Sequence, residues 1–547
     1  MIGGGVTGAC IARAAAGSGL STALVERDDF GAGTSANSLK ILHGGLRDLR
    51  RLAPAAVRAG AREQAAWVRG APHLVGALPF LLPTYRGLTQ SRTALRLALT
   101  AADLLSHVPA AERLGGWRIL DRGEALALVP DLPGRVTGGG LWHEGQMYSA
   151  ERLVLEVVRR AMAAGASAAN HTEATALLRA ADGAVVGARV RDVITGEEHE
   201  VRARRTLVAA GAGSRRIAAR LLGRTEPARA GYSLALNVLL PDRGHPVAFA
   251  LRSRMDGVAR QLLFVPWRGR TILGTGHYPY PGDPASFDPA AVDPGPLLAE
   301  ADAAWDGPRA REEDVLLVHA GLLPLDPSGR GSPDRLLRAP AVHDHAGEGA
   351  PGLISVVSVR FSYAGALARD AVRAVERSLG RDRAVPRGEE GDAAAGGQTG
   401  AAGGGAAGRR AGADARALAA ADVRHAAPGL APDVRRHLAR CYGPDAGAVV
   451  AAMGGTEGWD RRVVPGEPVI FGQLVHGARA EMARTVDDLV WRRTEIGPRG
   501  LDCAAARQAA AEALAAADSP ASAAAPDVRV GGGGEGGHGS SRRDATG

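Results

Sequence analysis

The chain has 547 residues, 46% hydrophobic and 23% charged, which is enough to bury large cores in two or three domains. Its 66 basic and 58 acidic residues give a modest net charge of +8 that is spread along the chain, so composition does not indicate nucleic-acid binding. The three cysteines lack the spacing of a metal or redox motif, which indicates a reducing compartment and predicts no metal site. Neither a signal peptide nor a membrane-spanning apolar stretch is visible, so we expect a cytoplasmic protein.

A glycine pattern at the start of the chain predicts a dinucleotide site. Gly3, Gly5 and Gly8 form G-x-G-x-x-G before an alanine-rich helical stretch, and the short strand after it ends at Glu26. The glycines allow a tight turn, a close approach to a pyrophosphate and close packing of helix on strand, while the carboxylate can hold ribose hydroxyls. Only two residues precede the first glycine where a full strand is expected, which indicates a truncated start.

Residues 29–48 form a second glycine-rich segment with the groups that a flavin site needs. His43 is a titratable ring beside two residues without side chains, where a flat ring system can approach the backbone, and Arg47 adds a fixed cation. The alternative for His43 is a structural residue that caps a turn. The glycines and hydroxyls assigned to the cofactor in this segment are Thr34, Ser35, Gly44 and Gly45.

Lys40 in the same segment is the only lysine among 66 basic residues. A coding bias that replaces lysine by arginine explains the scarcity. A lysine that survives the bias indicates a position where a compact ammonium is needed, to anchor the backbone or to bind a phosphate.

Residues 92–105 predict an apolar helix that begins with arginine. One interpretation is a membrane-interface helix. The alternative, which we favour, is a core helix of an inserted domain.

A predicted hairpin leads to a strand that returns to the first sheet. Apolar and polar residues alternate over 185–201 on both sides of a Thr-Gly turn, and the short buried strand that follows ends in small residues at Ala210 and Gly211. More than a hundred residues separate this strand from the glycine motif. That separation indicates a flavin domain with an inserted substrate domain rather than a plain nicotinamide dehydrogenase.

Composition divides the remainder of the chain. Residues 383–420 are rich in alanine and glycine and predict a flexible linker, whereas 421–517 have apolar residues at helical spacing and predict a helical domain. Residues 518–547 predict a disordered tail. Arginine and acidic residues of 478–494 are expected to form pairs on helix surfaces.

Together these segments resemble the FAD-dependent glycerol-3-phosphate dehydrogenases of the D-amino-acid-oxidase-like superfamily. Residues 29–48 are the most similar, and the resemblance extends over about 1–380 and 425–515. It implies an α/β (α+β) fold: an FAD-binding Rossmann-type domain with an inserted mixed-sheet substrate domain, plus a C-terminal all-α domain. Residues 1–382 would form the oxidoreductase domain, with FAD-binding parts at about 1–85, 145–225 and 340–382 and substrate parts at about 86–144 and 226–339.

The resemblance implies oxidation of sn-glycerol 3-phosphate to dihydroxyacetone phosphate by hydride transfer to FAD, with electrons passed to a quinone. It is compatible with peripheral contact to the inner face of the cell membrane and with a homodimer. Two alternatives stay open. One is a related flavin oxidoreductase that acts on another hydroxy acid or an amine, and the other is a catalytically degenerate FAD-binding paralogue.

The resemblance also implies roles for individual residues. His43 would contact the substrate hydroxyl as base or orienter, Arg360 would complete the catalytic pair, and Arg47 and Arg338 would bind the substrate anion. Either of the last two arginines can instead be an ordinary surface cation. The helix after residue 363 would aim its N-terminus at the flavin. Further cofactor-binding residues in this assignment are Arg27, Lys40 and Ser358.

Three departures from the family pattern bear on the substrate. Leu323 stands where the family carries an arginine, and Arg360 stands where a lysine is typical. Arginine cannot accept a proton at neutral pH, so Arg360 can instead pair with a carboxylate. His277 follows a Gly-Thr-Gly stretch where the family has Thr-Asp, which brings it into the predicted substrate pocket, with a purely structural role equally open.

Overall fold

The computed structural model describes residues 1–46, 53–109, 112–224, 231–255, 260–326, 336–337, 340–381 and 406–518, without side-chain detail for 285, 406–411 and 518. The helices, numbered in chain order, are α1 Val6–Gly17, α2 Pro54–Gly70, α3 Arg92–Ser106, α4 Arg122–Leu128, α5 Ala150–Ala163, α6 Ser214–Leu221, α7 Gly295–Ala304, α8 Ala364–Ser378, α9 Ala406–Ala426, α10 Pro432–Tyr442, α11 Ala446–Met453, α12 Phe471–Ala480 and α13 Ala504–Asp518. The strands are β1 Ala23–Val25, β2 Ile41–Leu42, β3 Val75–Thr84, β4 Arg118–Asp121, β5 Gly138–Met147, β6 Ser167–Ala169, β7 Thr172–Arg179, β8 Val185–Asp192, β9 Glu198–Arg202, β10 Thr206–Val208, β11 Tyr232–Pro241, β12 Ala248–Arg252, β13 Gln261–Trp267, β14 Arg270–Tyr280, β15 Leu317–Pro324, β16 Ala341–Asp344 and β17 Leu353–Val357.

The first sheet is assembled around the glycine motif. Ile2 forms parallel bridges to Val25 of β1 and to Val208 of β10, so it lies where the central strand of a Rossmann sheet runs. Strand β6 pairs in parallel with β1, and β17 pairs in parallel with β10 and antiparallel with β16. The order is therefore β6, β1, Ile2, β10, β17, β16, and the predicted return strand is β10.

Helices cover one face of this sheet and a small sheet covers the other. Helices α1, α5 and α8 pack on the face that carries Leu24, Leu207 and Ile354. Strands β7, β8 and β9 form an antiparallel sheet that packs on the face carrying Val25 and Val208. The predicted hairpin is confirmed as β8 and β9.

The inserted domain contains a large mixed sheet in the order β15, β11, β14, β13, β12, β3, β5, β2, with β4 paired to β5. One face packs on α7 through a core that includes Phe249 and Phe264, and the other face carries Trp267 and Leu239. Strands β2 and β3 belong to this sheet although we assigned residues 1–85 to the FAD-binding part. The chain enters the large sheet at Ile41, much earlier than the boundary near residue 85 that the resemblance implied.

The C-terminal region is helical, and it begins earlier than we predicted. Helix α9 covers 406–426 and so occupies part of the predicted linker of 383–420, while residues 383–405 lie outside the described residues. Alanine has the highest helix propensity, and Ala419 and Val423 of this helix are buried against α10 and α11. Of the predicted tail, 519–547 lies outside the described residues.

Two buried ion pairs join the C-terminal domain to the FAD-binding part. Arg493 pairs with Asp29, and Arg152 pairs with Glu481 through two hydrogen bonds of 2.7 and 2.9 Å. Our expectation that the charges of 478–494 lie on helix surfaces is wrong for Glu481 and Arg493. Spacing within a helix does not reveal a partner that is hundreds of residues away.

Helix α3 is only half buried. Leu99 is in the core, but Leu97 and Leu104 are 67% and 74% exposed. The favoured interpretation as a core helix therefore describes one face only. Among the described residues, none of the helices combines the length and apolar character needed to cross a bilayer.

Candidate functional site

The glycine motif forms a turn that side chains would obstruct. Gly3 has a φ of +105°, and a Cβ atom there would lie 2.7 Å from the carbonyl oxygen of Ala209 on the return strand. A Cβ atom at Gly8 would lie 1.8 Å from the carbonyl oxygen of Gly3. Gly5 is the N-cap of α1 and has no side-chain cap of its own. The turn, the helix N-terminus and the return strand therefore meet as a dinucleotide site requires.

Glu26 lies at the end of β1, directly beside this turn. Its carboxylate accepts the backbone N–H of Gly4 at 2.5 Å and that of Asp28 at 3.0 Å. Burial raises the pKa of Glu26 and outweighs these two hydrogen bonds, which lower it. Arg27 pairs with Asp28 at the surface, with 3.0 Å between the charged atoms.

The predicted pyrophosphate loop reaches the N-terminus of α1. The Ser35 hydroxyl accepts the backbone N–H of Val6 at 3.0 Å, so it lies at the positive end of the helix. Thr34 donates its hydroxyl to the carbonyl oxygen of Leu322 on β15, at 3.3 Å. The loop thus lies between the FAD-binding part and the large sheet.

Lys40 supports this loop from inside the protein. Its ammonium is fully buried, 2.7 Å from Glu151 and 2.5 Å from the carbonyl oxygen of Ala36. It also lies 5.5 Å from the ring centre of Trp267. Burial lowers the pKa of Lys40 while Glu151 raises it. Of the two roles expected for the only lysine, these contacts agree with an anchor of the backbone rather than with binding of a phosphate.

His43 lies at the start of the next turn, beside a buried carboxylate. Its Nδ1 atom is 3.9 Å from Oε1 of Glu144 on β5, and the two side chains are 30% and 6% exposed. Glu144 also accepts the N–H of Gly44, at 2.7 Å. Burial raises the pKa of Glu144, but His43 and the N–H donors outweigh it, so its net pKa lies below the ordinary value.

Gly45 brings its backbone against α2. It has a φ of +89°, and a Cβ atom there would lie 2.7 Å from the carbonyl oxygen of Val57. The Tyr363 hydroxyl donates to the carbonyl oxygen of Ala56 at 2.9 Å on the same helix. Arg360 lies with its guanidinium 5.0 Å from the ring centre of Tyr363. The backbone at Gly45 and the segment before α8 therefore share one region of the site.

The return strand and the last strand end close to the glycine turn. Ala210 and Gly211 follow β10, and Gly211 has a φ of +62°. The Ser358 hydroxyl accepts the N–H of Arg360 at 3.3 Å and so shapes the turn into α8. The N-terminus of α8 was expected to face the flavin, but Glu63 already accepts the N–H of Ala366 there, at 2.9 Å.

One face of the large sheet is turned toward the pyrophosphate loop. Ser233, paired with Leu323, lies on this face, and a Cβ atom at nearby Gly321 would be 2.9 Å from Thr34. His277 lies there too, with its Nδ1 3.2 Å from the Ser233 hydroxyl. The face therefore presents His277 and Leu323 to the cofactor side, as a substrate pocket requires.

Arg47 and Arg338, the two arginines predicted to bind the substrate anion, lie outside the described residues. Their role stays a prediction.

Sequence reasoning missed the partners of His43. Glu144 and Trp142 lie on one face of β5, and Gln64 reaches them from α2. The signal was available in the alternation of β5, where Trp142, Glu144 and Gln146 fall at period two within a strand of small and apolar residues. Only the pairing of β2 with β5 shows that this face meets His43.

Three clusters among the described residues bring donor atoms close enough for a metal ion: His343, His345 and Glu348; His437, Cys441 and Glu495; and Asp29, His171 and Asp488. Each contains a donor engaged by protein, for example Glu348 with both histidines and Asp488 with His171 at 2.8 Å. None of the three includes the residues around His43.

The residues of the glycine turn suit FAD. The side-chain-free turn at Gly3 and Gly5, the N-terminus of α1 and the carboxylate of Glu26 match the pyrophosphate and ribose of a dinucleotide, with the Ser35 hydroxyl already on the N–H of Val6. At Gly44 and Gly45 the absence of side chains makes room for Gln64 and for α2.

Comparisons with known proteins agree with this geometry. The chain is 27% identical over 514 residues to a glycerol-3-phosphate dehydrogenase of Synechocystis sp., covering 91% of this chain and 88% of that protein. It is 27% identical over 498 residues to an aerobic glycerol-3-phosphate dehydrogenase of Staphylococcus aureus, covering 90% and 86%. The solved glycerol-3-phosphate dehydrogenase of Bacillus halodurans, complexed with FAD, shares the fold with a TM-score of 0.68 and 23% identity, covering 94% of this chain and 93% of that chain.

Two family descriptions cover most of the chain. Residues 400–520 match the C-terminal domain of alpha-glycerophosphate oxidase. Residues 1–359 match the FAD dependent oxidoreductase family, DAO. The glycine turn, the return strand and the inserted sheet are the parts of that fold which the structure shows, and the chain belongs to the family of FAD-dependent oxidoreductases.

Proposed function

We propose that this protein oxidises sn-glycerol 3-phosphate to dihydroxyacetone phosphate. The observation that carries the proposal is the His43–Glu144 pair beside the Gly44–Gly45 backbone, where a secondary hydroxyl would meet a base next to the flavin. The match of 400–520 to the C-terminal domain of alpha-glycerophosphate oxidase and the names of the relatives support this substrate.

The reaction requires the removal of one hydride and one proton. FAD, when bound, accepts the hydride from the carbon that bears the hydroxyl group. In the proposal His43 takes the hydroxyl proton at its Nε2 atom, because Nδ1 is the nitrogen turned toward Glu144. The C–H and O–H bonds break, the carbonyl forms, and the substrate loses two electrons and two protons in balance.

Arginines are proposed to hold the phosphate. Arg47, Arg338 and Arg360 lie at positions that resemble the anion-binding set of the family, although a lysine is typical at position 360, and planar guanidinium groups suit the oxygens of a phosphate. Arg360 cannot accept a proton, so within the catalytic pair it orients the anion while His43 acts as the base. His277 is proposed as a further substrate contact because it shares the sheet face that packs against the Thr34 loop.

A second candidate substrate class is favoured by one observation. Leu323 lies on β15 beside Ser233 and His277, where the family pattern has an arginine, and it supplies no charge. A pocket with one fewer cation suits a hydroxy acid or an amine with a single negative charge.

The exposed face of α3 supports transfer of electrons to a membrane quinone. Leu97 and Leu104 are exposed on a helix that also exposes Arg92 and Arg96. Leucines flanked by arginines suit an interface with anionic lipids. We therefore propose peripheral contact between this face and the inner membrane surface.

An anaerobic titration tests the proposal. Glycerol 3-phosphate added to the FAD-loaded protein should bleach the flavin band near about 450 nm, the usual position for the oxidised cofactor. Bleaching by another hydroxy acid or an amine alone would favour the second class, and bleaching by none would favour a degenerate paralogue. In the Arg338→Ala variant the KM should rise strongly for a phosphorylated substrate and little for an uncharged one.

A further inference from the structure

Among the described residues, Glu144 is a buried carboxylate that no arginine or lysine side chain approaches to ion-pair distance. Its oxygens accept the Gly44 N–H at 2.7 Å, the Gln64 amide at 2.9 Å and the Trp142 indole N–H at 3.1 Å. Within the described part of the chain, His43 is the only group in ion-pair range of it. A buried anion of this kind favours an N–H donor on the neighbouring imidazole, and that contact fixes which ring nitrogen carries the proton.

Most of the other buried carboxylates among the described residues have a permanent cationic partner. Five such pairs are Glu151–Lys40, Glu481–Arg152, Asp29–Arg493, Glu63–Arg369 and Glu300–Arg260. Glu144 differs from these five although its burial is similar, and it resembles Asp488, whose partner is also a histidine, His171 at 2.8 Å.

Strand pairing and a helix side chain fix the position of Glu144 relative to His43. Antiparallel pairing aligns Leu42 with Gly145, so His43 follows opposite Glu144. A Cβ atom at Gly44 would lie 2.9 Å from Oε1 of Gln64, so only glycine lets this backbone N–H reach the carboxylate without displacing the amide. The Gln64 amide also donates to the carbonyl oxygen of Leu42 at 2.7 Å, which ties α2 to the strand before His43.

We propose that Glu144 is the positioning residue of His43: its carboxylate receives the Nδ1–H, leaves Nε2 free to take the substrate proton, and stabilises the ring once it is charged. This inference rests on the proposed oxidation of a hydroxyl group by this site. The 3.9 Å separation is an ion-pair distance, and such contacts tighten to hydrogen bonds when substrate binds.

The charges around the ring are consistent with this role. From β5 the facing charged group is Glu144, and α2 contributes the neutral Gln64. Glu63 on α2 is paired with Arg369 instead. The guanidinium of Arg360 lies against the ring of Tyr363, which contacts α2, and it adds a positive charge on the substrate side. The negative charge of Glu144 offsets this positive charge. The lowered net pKa of Glu144 keeps it ionised at neutral pH.

The proposed role of Glu144 predicts a change of the His43 tautomer in the isosteric Glu144→Gln variant. Its amide oxygen would satisfy the two donors at Oε2, namely Gly44 and Gln64, at the loss of the Trp142 hydrogen bond to Oε1. Its NH₂ group would then face His43, so Nδ1 would accept a hydrogen bond and the ring proton would move to Nε2. A ring protonated at Nε2 cannot take the substrate proton.

Two measurements on the FAD-loaded protein test this. The ¹⁵N shifts of His43, assigned by comparison with His43→Gln, should show the proton on Nδ1 in the wild type and on Nε2 in Glu144→Gln. With glycerol 3-phosphate, kcat should fall about 100-fold with KM within about threefold, in the range of a lost general base. The acid limb of the kcat/KM profile should move to lower pH by about one unit.

Glu481→Gln is the matched control, because it removes the charge of another buried carboxylate, which lies in the C-terminal domain and pairs with Arg152. It should lower stability but leave the His43 tautomer and the acid limb unchanged. Glu144→Asp, which keeps the charge on a shorter side chain, should retain the wild-type tautomer and recover part of kcat.

An unchanged tautomer in Glu144→Gln, or a loss of activity confined to KM, would overturn the inference. The tautomer is read without substrate, so its outcome is independent of the proposed function. If glycerol 3-phosphate fails to reduce the wild-type flavin while the tautomer switches, the proposed substrate is wrong and the role of Glu144 stands.

Discussion

Replacing Arg493 by methionine should damage both stability and FAD binding, although this residue lies in the C-terminal domain. Arg493 is 1% exposed and Asp29 is 3% exposed, and the guanidinium engages both carboxylate oxygens and also the carbonyl oxygen of Glu481. In Arg493→Met, Asp29 keeps only the Asn170 amide at 2.8 Å. An uncompensated buried charge of this kind costs about 3–5 kcal/mol.

The effect on FAD follows from the position of Asp29. It lies three residues after Glu26, and the next residues contact the glycine turn: the N–H of Gly31 donates to the carbonyl oxygen of Gly4 at 3.1 Å. Relaxation of this loop should weaken FAD binding at least about tenfold, which corresponds to roughly 1.4 kcal/mol of the lost energy.

Urea unfolding followed by circular dichroism, and flavin fluorescence for the Kd of FAD, measure the two effects. The double variant Asp29→Asn with Arg493→Met should be more stable than Arg493→Met alone by about 2 kcal/mol, because no buried charge is left unpaired. Arg507, an exposed arginine that pairs with Asp487 and Asp502, provides the control, and Arg507→Met should cost under about 1 kcal/mol. A cost for Arg493→Met as small as this control, with unchanged FAD affinity, would refute the reasoning.

Three further predictions concern pH, membranes and substrate. Burial raises the pKa of Glu481, but Arg152 and the other cationic groups around it together lower the pKa to about 2, so this group stabilises the fold above its unfolded pKa near 4.5. Acid titration of stability should lose about 3 kcal/mol as pH falls from about 5 to 2, and Glu481→Gln should remove that dependence. Replacing Leu97 and Leu104 by glutamate should abolish co-flotation with anionic vesicles while flavin reduction by substrate stays intact; unchanged flotation would count against the membrane face. Leu323→Arg should lower KM for glycerol 3-phosphate about tenfold and leave KM for glycerol unchanged, as expected for one charge-assisted contact, and equal effects on both would argue against a phosphate in this pocket.

The dinucleotide motif was predictable because its physical constraints are local. Turn, helix, strand and acid are contiguous in sequence, and each glycine is required by an approach that a Cβ atom would block. The hairpin at β8 and β9 was predictable for the same reason, since alternation and a Thr-Gly turn fix it within a few residues.

The rest depends on contacts between distant segments. Glu144 meets His43 only because β2 pairs with β5, and Asp29 meets Arg493 across more than 460 residues of chain. Patterns within one helix or strand carry no information about such partners. The same holds for the boundary between the two sheets, because a two-residue strand, β2, enters the large sheet well before the expected boundary near residue 85.

The anchoring of Lys40 has a practical consequence for chemical labelling. The folded chain offers reagents no side-chain amine, since its only lysine is fully buried against Glu151 and Trp267. A lysine-directed label can therefore react at this position only when the loop beneath the pyrophosphate site opens. The fraction of molecules modified at this residue therefore measures the fraction in which the cofactor site has opened.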